Sequence, residues 1–148
     1  MSSDRRLLFL MHRADRALVA YSNAETIAAL GVSSAQLATL YHVAKHPGCS
    51  MTEIADLLDL NKSAASGMIQ RLERLEFLRR EPSVADRRSS HLFLTKKGEL
   101  VRSQSLATCR RLTAEVTAGL SAAEMEAVYR FLNVIIERCT GEQEELSK

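Results

Sequence analysis

The sequence predicts a mainly α-helical fold carrying one small β-hairpin, and three observations predict it. Apolar residues recur at steps of three and four through most of the chain, the period of helices with one buried face. Three stretches, Ser33-Ser-Ala-Gln36, Ser50-Met-Thr-Glu53 and Ser121-Ala-Ala-Glu124, have capping-box spacing, in which the serine hydroxyl and the side chain three residues on satisfy each other's backbone N–H groups. Only the stretch 77–94 has short strand-like runs on either side of a polar loop rich in turn formers. At 148 residues, 46% hydrophobic and 26% charged, the chain suits one folded domain rather than two, and not a disordered one.

The first helix is expected from Asp4 to about Leu30, with Leu7, Met11, Ala14, Leu18, Tyr21 and Ala28 in its stripe and Gly31 as its stop. A terminal helix this long has more apolar face than one small domain can cover, so a partner subunit is its natural outlet. The helix begun at Ser33 carries Leu37, Leu40, Tyr41 and Ala44 and is stopped by Pro47-Gly48. Cys49-Ser50 can add a short strand. The helix begun at Ser50 places Ile54, Leu57 and Leu58 inward, and Asp59-Leu60-Asn61 forms a turn ending in a good N-cap residue. From about Lys62 to Glu76 a further helix buries Ala65, Met68, Ile69, Leu72 and Leu75. Strands over 77–81 and 91–94 follow, then a helix capped by Thr95 with Leu100, Val101, Leu106, Ala107, Leu112 and Val116. Gly119 and Leu120 break it. The last helix shows Met125, Val128, Leu132, Ile135 and Cys139 at strict 3,4 spacing, a helix-pairing stripe.

The net charge is +2, but its distribution is uneven. Between Asn61 and Lys97 nine Lys or Arg face four acids, whereas from Glu115 to Lys148 three bases face seven acids. A basic middle points to a polyanion, an acidic end to another task. The outer face of the helix at 62–76 carries Lys62, Ser63, Ser66, Gly67, Gln70, Arg71 and Arg74, with no carboxylate before Glu73. Such a face suits the major groove of DNA: Ser63, Ser66 and Gln70 for base edges, Lys62, Arg71 and Arg74 for phosphates. The loop between the strands holds Asp86, Arg87 and Arg88, suited to a phosphate backbone or the minor groove. The stretch 33–95 is therefore read as a winged helix-turn-helix module within a single domain, 1–148, with 4–31 and 96–140 as dimerisation helices. Two copies on a two-fold axis would read half-sites roughly 34 Å apart.

These residues resemble the MarR family of transcription regulators. Leu60 to Arg80 is similar to that family's recognition helix and first wing strand, and Asp86-Arg-Arg88 with Leu94-Thr-Lys-Lys-Gly98 is similar to its wing signature. The resemblance covers nearly the whole chain and implies a homodimeric regulator, usually a repressor, on a pseudo-palindromic double-stranded operator. It implies that Asp86 holds the wing by ion pairing and that Arg88 reaches DNA. It also implies release by a small phenolic or aromatic carboxylate, or a response to cysteine oxidation or metal. Two positions depart from the pattern: Gly67 stands where a larger polar residue is common, and Glu76 where a glycine often ends the helix.

The same residues bear on other functions. His12, Arg16, Tyr41 and His42 are candidates for an aromatic carboxylate, being cationic and aromatic groups near the junction of module and dimer base. His42 and His46 with Cys49 hint at a metal, but no H-E-x-x-H pattern completes them, so no metal and no cofactor is expected. Of Cys49, Cys109 and Cys139, Cys49 is the redox candidate and the other two read as small core residues. An enzyme is not expected, since no Gly-rich phosphate loop or G-x-S-x-G elbow is present. A protein-binding adaptor would keep the apolar stripes but not need the acid-free helix face. The longest apolar run, Leu7 to Met11, is too short to span a membrane, and His12, Arg13, Asp15 and Arg16 interrupt what Arg5-Arg6 begins like a signal peptide. A cytoplasmic protein is the expectation.

Overall fold

Helix α1 (Leu7–Leu30) ends where Gly31 takes a left-handed conformation, φ 71°, and its N–H closes on the Ile27 carbonyl at 2.9 Å. The computed structural model describes residues 6–84 and 90–140. Backbone packing divides the chain into two units, Met1–Arg110 and Arg111–Lys148. In the first, α1 is followed by α2 (Ser34–Lys45), β1 (Cys49–Ser50), α3 (Met51–Leu57), α4 (Lys62–Arg74), β2 (Leu78–Pro82), β3 (Ser90–Leu94) and the start of α5 (Lys96–Val116). The second holds the rest of α5 and α6 (Ala122–Thr140).

Local chemistry sets the starts. Ser33, Ser50 and Ser121 each accept the N–H of the residue three on (Gln36, Glu53 and Glu124), whose side chain in turn accepts the serine N–H. Asn61 caps α4 by accepting the Ala64 N–H at 2.8 Å. Asn23 of α1 accepts both the N–H and the hydroxyl of Ser34, at 2.8 and 2.7 Å, and so ties α1 to the head of α2.

Among the described residues the strands form one antiparallel sheet in the order β1-β3-β2. Cys49 pairs with Leu92, while β2 and β3 run from Leu78–Leu94 to Pro82–Ser90 as the hairpin's arms. Leu37, Leu40 and Val43 of α2, Ile54 of α3, Ile69 and Leu72 of α4, and Phe77, Leu78 and Leu92 form the core. This core lies beneath α4 and the sheet and leaves α4 with one buried and one solvent face.

Several expectations are corrected. Leu57 is not buried: it is 51% exposed, and Ala55 takes the inward place beside Ile54. Helix α4 stops at Arg74, and Glu76 takes a left-handed φ of 63° in the place of the absent glycine. Cys139 is exposed in the single chain rather than a core residue, whereas Cys109 is half-buried against the core. In keeping with terminal helices that carry more apolar face than one chain can cover, Leu7, Leu18, Tyr21, Val128 and Leu132 are exposed on α1 and α6. Among the described residues no single helix is long and apolar enough to cross a membrane.

Candidate nucleic-acid interface

Helix α4 turns Ala65, Ile69 and Leu72 into the core, which fixes the opposite face outward. Lys62, Ser63, Gln70, Arg71 and Arg74 are exposed there, and Ser66 is half-buried. Gln70 donates from its amide to the Ser66 hydroxyl at 3.4 Å, and Arg74 reaches back to the Gln70 carbonyl at 3.5 Å. These weak local bonds keep the polar side chains close to the helix. A Cβ at Gly67 would meet nothing within 4 Å, so this position is a gap in the face rather than a packing contact. Gly67, Arg71 and Arg74 line a hollow of about 400 Å³ together with Ser33 and Gln36 at the head of α2.

The basic charge is less evenly spread than the sequence suggests. Arg80 donates to Glu73 at 2.9 Å, Arg79 pairs with Glu81 and lies over Phe93, and Lys97 pairs with Glu76 at 3.2 Å. Three of the four acids in the basic stretch are thus spent beside the sheet, on cations that do not belong to α4's outer face. Val84, at the root of the hairpin loop, is fully exposed. Asp86, Arg87 and Arg88 lie outside the described residues.

The foot of the hairpin is held by one knot of hydrogen bonds. Thr95 donates its hydroxyl proton to the Glu76 carbonyl at 2.5 Å, accepts the Gly98 N–H at 3.0 Å, and gives its own N–H to the Phe77 carbonyl at 3.1 Å. The end of α4, the start of β2 and the first turn of α5 meet there.

Of the ligand candidates, Tyr41 and His42 come together in a cavity of about 620 Å³, with Ala38, Ala44, Lys45, Leu57, Leu58 and Arg102. His12 and Arg16 are exposed on α1 and do not line it. Tyr41 shares a hydrogen bond of 2.9 Å with the fully buried Ser105, and His42 Nε2 is buried without a partner. Arg102 lies with its guanidinium 5.4 Å from the Tyr41 ring centre and is held by Glu99. Sequence reasoning missed Arg102. The Glu99–Arg102 spacing was a visible signal, but not the proximity to Tyr41, 61 residues away.

His42 and His46 lie ring to ring at 4.7 Å. Among the described residues no group of three or more His, Cys, Asp or Glu is arranged to hold a metal ion. Cys49 lies on buried β1 rather than in an open turn, and burial followed by the Glu53 charge pushes its thiol pKa up. Burial of this kind lowers the thiolate fraction on which cysteine reactivity depends.

Residues 30–89 match the family model of the MarR family. The HTH-type transcriptional repressor MdtR of Bacillus subtilis (strain 168) is 32% identical over 101 residues, which are 68% of this chain and 65%, just under two thirds, of the relative. Among solved structures, the transcriptional regulator BldR from Sulfolobus solfataricus superposes with a TM-score of 0.81 at 22% identity, covering 90% of this chain and 94% of that one. The transcriptional regulator SlyA gives 0.80 at 23% identity, covering 93% and 96%.

Proposed function

Because this chain belongs to the MarR family, we propose that it is a transcription regulator that binds a pseudo-palindromic double-stranded operator as a homodimer. The observation that carries this reading is the outer face of α4: cations and small polar groups with no carboxylate before Glu73, which Arg80 pairs, on a helix whose other face is anchored in the core. Lys62, Arg71 and Arg74 take phosphates, joined by the wing arginines Arg87 and Arg88, with Asp86 holding the wing. Ser63, Ser66 and Gln70 face base edges, where a glutamine amide matches adenine N6 and N7. The 33–95 module does the reading, and helices within 4–31 and 96–140 join two copies in the cytoplasm. The name of the MdtR relative favours repression as the mode of action. The Tyr41–His42 cavity supports an aromatic carboxylate as the releasing signal rather than cysteine oxidation, since Cys49 is buried and its thiol pKa is raised.

A gel shift against the DNA upstream of the protein's own coding sequence, at two salt concentrations, tests the reading. Arg71→Ala, Arg74→Ala and Arg88→Ala should each weaken binding and lower the log K against log salt slope by roughly 0.9, one phosphate's worth. Unchanged affinity and slope in all three would remove DNA from the function and favour a protein-binding adaptor.

A further inference from the structure

Arg102 lines two hollows at once. On one side lies the Tyr41–His42 cavity; on the other lies a cleft of about 540 Å³ whose walls include Arg79, Phe93, Lys96 and Glu99. Its guanidinium is already engaged: Nε and Nη2 donate to the two carboxylate oxygens of Glu99 at 2.9 and 2.5 Å. This is a two-point, charge-assisted pair, the geometry in which a guanidinium grips a carboxylate most firmly. Glu99 lines only the second hollow, so the cation is cancelled from the far side of the first. The first cavity is lined by apolar walls from Ala38, Leu57 and Leu58, with Tyr41 and His42 beside them.

We propose that Glu99 is a built-in stand-in for the acid group of a small aromatic acid, and that such a ligand acts by taking Arg102 away from it. The proposal rests on the effector reading above and adds the residue pair through which the effector is sensed. One face of the guanidinium fork holds one carboxylate in two-point fashion. An acid entering beside Tyr41 competes for it and lays its ring against the apolar walls. Glu99 is then released among Arg79 of β2 and Lys96, the cations that share its hollow. Lys96 directly follows Thr95, and Arg79 lies over Phe93 of β3, so the exchange changes ionic pairing at the root of the hairpin. Only ion pairs are exchanged.

Calorimetric titration of the full-length protein without DNA tests this, using 2-hydroxybenzoate and its neutral analogue 2-hydroxybenzamide. The acid should bind the native protein. Glu99→Gln, which removes the competitor, should bind the acid roughly five- to tenfold more tightly and leave the amide unchanged. Arg102→Gln should weaken the acid about tenfold or more. Circular dichroism confirms that both variants are folded. Acid binding that is unchanged or weaker in Glu99→Gln overturns the exchange while leaving the effector cavity standing. No heat from either compound, in the native protein or in Glu99→Gln, overturns the exchange and the effector reading together, as when a partner helix fills the cavity. Operator binding in the gel shift is measured apart from both.

Discussion

Gly98 has no room for a methyl group. A Cβ there would sit on the Phe77 carbonyl, which already accepts the Thr95 N–H. Backbone cannot yield as a flexible side chain does, so Gly98→Ala should lose about 3 kcal/mol or more, at or beyond the upper end of overpacking costs. Urea denaturation measures it, and a loss under about 1 kcal/mol would show that the foot of the hairpin is looser than described. The glycine was visible in the sequence as part of a signature, but its physical reason was not, because the close approach is to a residue 21 positions earlier. Glu76 shows the same limit. A left-handed residue is ordinarily announced by Gly or Asn. Here a glutamate occupies the position, its carbonyl taken by Thr95 and its carboxylate by Lys97.

Helix starts were the most legible elements because a capping box needs only residues three apart, and Ser33, Ser50 and Ser121 all form one. Inward faces were less so. Helix α3 spans seven residues, about two turns, so its pattern of Ile54, Leu57 and Leu58 admitted more than one facing, and Ala55 rather than Leu57 took the buried place. The caps also carry a pH signature. The Ser50 N–H and hydroxyl hold the Glu53 carboxyl below its ordinary range, the Arg102 guanidinium does so for Glu99, and Ser121 does so for Glu124. A carboxyl with a lowered folded pKa stabilises fully above its unfolded value. That contribution is lost as pH falls through the folded one. Thermal unfolding should therefore show melting temperature falling as pH drops below the ordinary glutamate range near 4.5. Glu53→Gln should be less stable at neutral pH and flatter across that window. A native protein and variant with parallel pH profiles would take Glu53 out of the acid response.

The unburied faces of α1 and α6 belong to the scale of the whole molecule. Leu132 is 43% exposed and Val128 38%, on a stripe whose 3,4 spacing the sequence made plain. If two copies meet there, Leu132→Asp places an unpaired carboxylate in the seam. The dimer dissociation constant should then rise by about a hundredfold or more, ~2.7 kcal/mol. Sedimentation equilibrium would detect this, with operator affinity falling in parallel; a native and a variant protein of equal mass in solution would exclude α6 from the seam. The charge pattern was legible only in part, since pairing of Arg79, Arg80 and Lys97 with their acids depends on contacts made by the folded sheet. What remains is the join at Thr95, where three segments are stitched by bonds of 2.5, 3.0 and 3.1 Å with no glycine-sized slack between them. A joint that stiff cannot serve as a hinge: if α5 rolls about its long axis, the beta arm must swing with it like the blade on a turned key.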